Sequence, residues 1–150
     1  MTASMLPVRN PRTGEYDYEM PVTSADDIQS IAAGLRAAQM QWSALGVEGR
    51  AEVLNRFADS VTTELGPLAQ ALSVDTGRTT FAHFEAMKSV ELIRMWAERA
   101  GPILQDLAGS GQSGQVPAVH YQHRLIPYQM VAVISPWNVP LLLAKMNRLA

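Results

Sequence analysis

Residues 128–134, YQMVAVI, form a nearly continuous run of apolar and β-branched side chains, and this run constrains the fold more than any other feature. Such a run predicts a strand that is buried on both faces of a parallel sheet. The tight turn SPWNVP follows it, and LLLAKMNRLA then has a helical pattern up to residue 150. Strand, turn and helix in this order open a doubly wound parallel sheet, so the sequence predicts the α/β class.

Three helices are predicted before this unit. Ser24 is a suitable N-cap for the first one, and Asp26 and Asp27 suit the positive end of its dipole. Gly46 is expected to end that helix, whose apolar residues recur every three or four positions and predict a face packed on a domain: Ile28, Ile31, Leu35, Ala38, Trp42 and Leu45. The second helix is predicted from about residue 48 to 65. Gly66–Pro67 interrupts it, the helical pattern then resumes, and Gly77 is expected to end it.

The third helix is predicted from about residue 80 to 99, ending near Gly101–Pro102. Apolar side chains surround most of its circumference, so we expect neighbours to cover it on more than one side. Ahead of all three helices, residues 7–23 predict two short extended pieces joined by the turn TGE.

Gly109–Gly114, GSGQSG, has the letters of the dinucleotide-binding motif G-x-G-x-x-G. That motif needs a strand before the glycines and a helix starting on them, so that helix N–H groups face the pyrophosphate. Here a helix precedes the glycines, and residues 119–125 alternate like a strand with one wet face. The segment is therefore interpreted as a flexible connector.

The net charge and the composition of the sequence restrict the partners that the chain can have. A formal net charge of -2 without a basic block argues against nucleic acid and anionic membranes, and no apolar run is long enough to span a bilayer. The N-terminus lacks the apolar stretch of a secretory signal, so a cytoplasmic location is expected. The sequence contains no cysteine, which excludes disulfides, thiolate metal sites and a cysteine nucleophile within these 150 residues.

The turn ISPWNVP carries the most promising chemistry. Two prolines fix the backbone just beyond the carboxyl end of the predicted strand, where ligands of open α/β sheets bind. Trp137 offers a flat surface, and Asn138 offers an uncharged amide that could polarise a carbonyl oxygen. The alternative is that Trp137 only packs and Asn138 only satisfies its own turn.

VAVISPWNVPLLL resembles the strand–turn–helix signature of the NAD(P)-dependent aldehyde dehydrogenase superfamily, and PWN is its specific part. The segments NPRTGEYDYEMPVTSADDIQSIAAGLRAAQMQWSAL, GRAEVLNRFADSV and DTGRT are similar to earlier parts of the family in the same order. The similarity therefore covers about residues 8–150. It implies an incomplete aldehyde dehydrogenase fold: a helical part of the cofactor-binding domain at 1–108, an oligomerisation-type strand excursion at 109–127, and the first βα unit of the nucleotide-binding sheet at 128–150.

The resemblance also implies roles for residues of the turn. The backbone of Ile134, Ser135, Pro136 and Trp137 would line the cleft for NAD or NADP. Asn138 would be catalytic, donating its side-chain amide to the oxygen of a small-molecule aldehyde while a cysteine attacks the carbon. The family is usually dimeric or tetrameric, so a homo-oligomer is expected, and no metal site is implied.

Some features depart from the family pattern. Gln129 stands where glycine is usual and Val139 where an aromatic residue is usual. The nucleophilic cysteine, the base glutamate, the ribose-binding Lys-Pro-Ser segment and the glycine turn near the pyrophosphate are not found. The expectation is an N-terminal segment of such an enzyme, inactive and marginally stable alone. Two alternatives stay open: a truncated, non-catalytic interaction or oligomerisation module, and an unrelated small helical binding domain.

Other polar residues are given simpler interpretations. His120 and His123 are three apart on a strand, which points them to opposite faces and disfavours a metal pair. Asp26–Asp27 is interpreted as helix-start chemistry rather than an acid–base pair. Solvated surface positions are predicted for His83, Glu85, Glu91, Glu98, Lys145 and Arg148, the last two with an option of phosphate contact.

Overall fold

A computed structural model describes residues 4–114 and 117–146. Within these ranges the chain forms two antiparallel strand pairs and five helices. In chain order the elements are β1 (Met5–Arg9), β2 (Tyr16–Pro21), α1 (Ala25–Ala44), α2 (Gly46–Thr63), α3 (Leu65–Thr76), α4 (Thr79–Asp106), β3 (Gly109–Gln112), β4 (His120–His123) and α5 (Pro140–Met146). The described residues are thus a helix-rich part of an α/β fold, without the parallel sheet that would complete it.

The first strand pair confirms the two predicted extended pieces. β1 pairs antiparallel with β2, and the turn between them uses Gly14 at φ 82°. The side-chain oxygen of Asn10 accepts a hydrogen bond from the backbone N–H of Arg12 at 2.9 Å, which closes the turn locally. The Tyr18 hydroxyl donates to Asp75 Oδ1 at 2.9 Å and connects this hairpin to α3.

The start and end of α1 confirm the sequence interpretation. The Ser24 side chain accepts from the backbone N–H of Asp27, and the Asp27 carboxylate accepts from the backbone N–H of Ser24, so the two form a capping box. The helix ends at Ala44, and Gly46 follows in the left-handed region at φ 68°.

The predicted packing of α1 is wrong for the chain as it stands. None of its residues is buried, and Ile28 and Ile31 are each 56% exposed. The amphipathic pattern is real, but a stripe is buried only where a second apolar surface meets it. The described residues do not supply that surface.

The core lies where α4 meets α2 and α3. One buried cluster joins Ala58 of α2 to Val90 and Ile93 of α4, and a second is formed by Ala69, Leu72, Ala82 and Ala86. Ile93 and Ala86 are fully buried. Small residues on α4 allow close approach of its neighbours, and α2, α3 and α5 all contact it, which confirms that several neighbours cover this helix.

α4 is longer than predicted. It continues through Gly101–Pro102 to Asp106 instead of ending there. Proline removes one backbone donor and disfavours the helical region for a preceding residue with a Cβ. Gly101 has no Cβ, so the helix passes this point. Gly77, at φ 69°, ends α3 as predicted.

The interpretation of Gly109–Gly114 as a flexible connector is also wrong, because Gly109–Gln112 is the strand β3 and pairs antiparallel with β4. A Cβ at Gly109 would overlap the His123 ring, and one at Gly111 would overlap the Tyr121 phenol. The glycines leave room for these cross-strand rings. They begin no helix, which agrees with rejecting the dinucleotide motif.

Residues 128–134 differ most from prediction. Within the described ranges this segment pairs with no strand, and Tyr128 and Ile134 are 88% and 96% exposed. A parallel strand needs flanking strands for its backbone groups and layers for its side chains. The run therefore keeps the composition of a buried strand without the partners that would bury it. The helix after the turn is present as α5.

Candidate active site

The candidate site is the turn at 134–138, named here the PWN turn, which lies between the unpaired segment and α5. Its side chains face outward: Ile134 and Trp137 are 96% and 75% exposed, and Asn138 is exposed as well. Ser135 is half-buried. The structure thus presents Asn138 and Trp137 together on an open surface. It also excludes burial of the Asn138 amide inside the helix bundle.

Arg78 holds the backbone of the turn from the α3–α4 junction. Its Nη1 donates to the carbonyl oxygen of Asn138 at 2.7 Å, across sixty positions of sequence. The guanidinium also lies 4.1 Å from the centre of the Phe81 ring, a cation–π contact that restricts its orientation. This arginine belongs to the DTGR segment, so the turn that ends α3 and the PWN turn are in direct contact.

Glu85 holds the other side of the turn. Its Oε1 accepts hydrogen bonds from the backbone N–H groups of Leu141 at 2.8 Å and Leu142 at 3.1 Å, in the first turn of α5. The first N–H groups of a helix have no partner within the helix, and a carboxylate there also faces the positive end of the dipole. Glu85 is 1% exposed, so its interpretation as a solvated surface charge is wrong.

A sequence signal for Glu85 existed. It recurs at helical spacing with the buried small residues of α4, Ala82, Ala86 and Ser89, so it lies on the packed face. A single charge among small residues on a core face indicates a paired or capping group. The partner could not be read from the sequence, because it lies 56 and 57 positions away.

An apolar contact completes the attachment. Leu141 packs against the buried cluster of Ala69, Leu72, Ala82 and Ala86. Arg78, Glu85 and Leu141 therefore connect both sides of the PWN turn to α3 and α4. Among residues 4–114 and 117–146, the side-chain amide of Asn138 has no hydrogen-bond partner, which leaves its N–H donors available.

The remaining sequence candidates lie elsewhere. His120 and His123 are exposed on β4, and the described part of the chain has no cluster of three or more potential metal ligands. His83 and Glu98 are exposed as predicted, and Glu91 pairs with Lys88 on the surface. The side chain of Lys145 and the whole of Arg148 lie outside what the structure describes. No described helix combines the length and apolarity needed to cross a membrane.

Comparison with known proteins finds the aldehyde dehydrogenase family, which the sequence resembles, over nearly the whole chain. The sequence model of the aldehyde dehydrogenase family matches residues 1–150. The chain is 34% identical over 143 residues to 2-aminomuconic semialdehyde dehydrogenase of Bos taurus, covering 94% of this chain and 28% of the relative. It is 33% identical over 138 residues to N-succinylglutamate 5-semialdehyde dehydrogenase of Burkholderia cenocepacia, covering 88% of this chain and 26% of the relative.

Solved structures agree with this result. A protein from Anabaena variabilis named as the aldehyde dehydrogenase PutA superposes with a TM-score of 0.83 at 32% identity, over 97% of this chain and 31% of that one. A 3,6-anhydro-L-galactose dehydrogenase solved in complex with NAP gives a TM-score of 0.84 at 26% identity, over 96% of this chain and 30% of that one. The chain belongs to the aldehyde dehydrogenase family. It spans between a quarter and a third of the length of these relatives.

Proposed function

We propose that the PWN turn supplies the oxyanion donor and part of the cofactor cleft of an NAD(P)-dependent aldehyde dehydrogenase that oxidises a small aldehyde to a carboxylic acid. Two findings support this proposal. The chain belongs to the family by sequence and fold. Its Asn138 amide is exposed and without a described partner, on a turn whose two sides are held by Arg78 and Glu85.

Asn138 stabilises the negative charge that develops on the aldehyde oxygen. A cysteine thiolate from polypeptide outside these 150 residues attacks the aldehyde carbon, and the C=O π electrons move to oxygen to give a thiohemiacetal. The side-chain N–H of Asn138 then donates to that oxygen. A neutral donor suits this step, because a cation would also stabilise the attacking thiolate and raise the barrier.

The residues before Asn138 fit a dinucleotide. Ile134 and Trp137 are exposed and uncharged, and the turn brings no carboxylate that would repel a pyrophosphate. We propose that the backbone of Ile134, Ser135, Pro136 and Trp137 lines the cleft for NAD or NADP. A nicotinamide cofactor held there would supply the acceptor for the hydride that leaves the thiohemiacetal carbon. A glutamate outside these residues then activates the water that hydrolyses the thioester.

Cofactor binding by the chain itself tests this proposal. NAD⁺ and NADP⁺ are titrated separately into the wild-type chain and into Trp137→Phe while tryptophan emission is followed. We expect a saturable change in the wild type that is absent in the variant, since the variant keeps Trp42 and Trp96 as unaffected emitters. A wild-type signal that stays constant up to millimolar cofactor contradicts the proposal.

The second candidate is a non-catalytic interaction or oligomerisation module. The exposed apolar face of α1 favours it, because Ile28, Ile31 and Leu35 are each more than half exposed. In that case the chain associates with copies of itself or with another protein and shows no cofactor response. Homo-oligomer formation, a cytoplasmic location and the absence of nucleic-acid and membrane partners stay predictions from the sequence.

A further inference from the structure

We propose that Glu85 and Arg78 are positioning residues for Asn138: together they form a clamp that holds the PWN turn on α3 and α4 and aims the Asn138 amide. The inference rests on the proposed function for what Asn138 does. The clamp itself is a separate structural claim. It can be tested on the 150-residue chain without any catalysis.

The Glu85 half of the clamp fixes the start of α5. Leu141 N and Leu142 N both donate to the same carboxylate oxygen, Glu85 Oε1, at 2.8 and 3.1 Å. The carboxylate is 1% exposed, so water cannot replace it readily. Hydrogen bonds to a charged acceptor are stronger than neutral ones, and losing one partner of a buried pair leaves the other unsatisfied. The first turn of α5 therefore has one well-defined position relative to α4.

The Arg78 half fixes the residue that carries the donor. Arg78 Nη1 donates to the carbonyl oxygen of Asn138 itself at 2.7 Å. Its guanidinium stacks over Phe81, which is partly buried at the start of α4. A planar guanidinium fixed by stacking directs its N–H groups more precisely than a lysine would. The peptide plane after Asn138 is thus oriented by a group outside the turn.

The contacts at Asn138 O and Leu141 N lie three residues apart along the chain, and the Asn138 side chain stays exposed at the first of them. A donor of this kind works only when it is held within about 0.5 Å of its productive position. Within the described ranges, residues 128–134 pair with no strand, so strand pairing does not fix the turn from the other direction. Among the described contacts, Glu85 and Arg78 are the polar ones that position the turn, beside the apolar packing of Leu141.

Amide hydrogen exchange followed by NMR tests the clamp. Glu85→Leu nearly keeps the volume and removes the oxygen that accepts both hydrogen bonds. Glu85→Gln keeps a neutral carbonyl acceptor, and Glu98→Leu makes the same change as Glu85→Leu at an exposed position of α4. We expect Glu85→Leu to accelerate exchange at Leu141 and Leu142 about tenfold or more, while Ile93 in the core is unchanged. Glu85→Gln should give a smaller increase, and Glu98→Leu none.

Global stability is not the readout, because replacing a buried charge by an apolar side chain can stabilise a fold. Unchanged exchange at Leu141 in Glu85→Leu overturns the proposal. An equal acceleration at Leu141 and Ile93 also overturns it, since it shows general destabilisation instead of local release.

A second measurement tests whether the clamp orients the Asn138 side-chain amide, and not only whether it stabilises the turn. The side-chain amide signals of Asn138 are compared in wild type, Glu85→Leu, Arg78→Met and Glu98→Leu. We expect both clamp variants to shift or broaden these signals and the control to leave them in place. If neither clamp variant changes them, Glu85 and Arg78 are structural residues only, and the positioning role is lost.

The experiments distinguish a failure of the clamp proposal from a failure of the proposed dehydrogenase function. When the wild-type chain fails to respond to either cofactor while the exchange and amide results are as expected, the clamp stands and the dehydrogenase role of the turn fails. When the cofactor response is present in wild type and equally strong in Glu85→Leu and Arg78→Met with unchanged amide signals, the dehydrogenase role stands and the clamp fails.

Discussion

At the scale of single residues, the PWN turn depends on groups far away in sequence. Arg78 and Glu85 contact the turn through its backbone, at Asn138 O and at the N–H groups of Leu141 and Leu142. Backbone contacts constrain position without restricting which side chain the turn presents. The same clamp would therefore serve a turn with Val139 in place of an aromatic residue.

The capping box of α1 makes a residue-scale prediction about pH. Hydrogen bonds from the Ser24 side chain and then from the Ser24 backbone N–H lower the pKa of Asp27 below its ordinary value of 3.8. A carboxyl with a lowered folded-state pKa adds stability above its unfolded pKa and loses it as the pH falls through the folded pKa.

We therefore expect the helicity of α1 to be constant above the ordinary Asp pKa and to fall in more acidic solution. An NMR titration of the Asp27 carboxyl should give a midpoint below 3.8 in wild type and a higher midpoint in Ser24→Ala, which loses the larger, side-chain contribution and keeps the backbone one. Equal midpoints in the two proteins would show that the cap is absent in solution.

A second pH effect belongs to the contact between the first hairpin and α3. The hydrogen bond to Asp75 raises the pKa of Tyr18 above 10.0, with desolvation and the negative charges of Asp75 and Asp17 adding to it. A raised pKa means that the contribution is complete below the unfolded pKa and disappears as the pH rises through the folded one.

Tyr18 should thus titrate later than a free tyrosine, and Asp75→Ala should return its midpoint toward 10.0. The measurement is the pH dependence of the Tyr18 ring signals in NMR. A Tyr18 midpoint that does not move in Asp75→Ala contradicts the contact.

At the scale of elements, burial separates helices that carry stability from those that do not. α4 contributes buried residues to both core clusters, whereas α1 contributes none. The same residue type occurs at both kinds of position, with Ile93 fully buried on α4 and Ile28 56% exposed on α1. Replacing each of these two isoleucines by alanine therefore compares the contributions of α4 and α1 to stability.

Ile93→Ala should lower the free energy of unfolding by about 2–5 kcal/mol, because it removes buried methylene contacts and leaves a cavity. Ile28→Ala should change it by less than about 0.5 kcal/mol. Urea denaturation followed by far-UV circular dichroism measures both. Similar losses in the two variants would mean that α1 is packed in solution and that the described exposure is wrong.

The sequence predicted most elements, and the particular failures have physical causes. Ser24, Gly46 and Gly77 marked helix boundaries correctly, because caps and left-handed glycines act within a few residues. The strand Gly109–Gln112 differs from the prediction because it depends on pairing with β4, whose partner residues lie eight to fourteen positions away. The burial expected for residues 128–134 failed because strand burial depends on neighbours.

The candidate site was predicted in part for the same reason. Asn138 and Trp137 were found because turn and side-chain chemistry are local. Glu85 was missed because its partners are distant in sequence, although its position among small residues of α4 pointed to a packed face. Arg78 lies in the segment DTGRT, and the sequence does not predict its hydrogen bond to Asn138 O because the two residues are sixty positions apart.

At the scale of the whole molecule, two apolar surfaces stay uncovered in the described ranges. They are the α1 face and the unpaired segment 128–134, whose residues Met130 and Val131 form an open cleft with Leu35 and Trp42 of α1. Exposed apolar surface of this extent marks an interaction site or an aggregation liability. The 150-residue chain should therefore be marginally stable and associate at high concentration.

Sedimentation velocity tests this expectation over a concentration series. Leu35→Glu should reduce association by interrupting the apolar face of α1, while Ser30→Glu adds the same charge at an exposed polar position and should have little effect. The helix content of all three proteins should be equal. A wild-type chain that is monomeric at every concentration and melts in one sharp transition would contradict the expectation.

The central claim is that the Asn138 amide stabilises the oxygen of a reacting aldehyde. Its most direct test is the steady-state rate of NAD(P)-dependent aldehyde oxidation by an aldehyde dehydrogenase that contains these 150 residues, with Asn138→Ala compared with Asn55→Ala, an exposed asparagine on α2. We expect Asn138→Ala to lower kcat by about 10²–10³ with little change in the cofactor KM, and Asn55→Ala to leave both unchanged. An Asn138→Ala enzyme that keeps the wild-type kcat would contradict the claim.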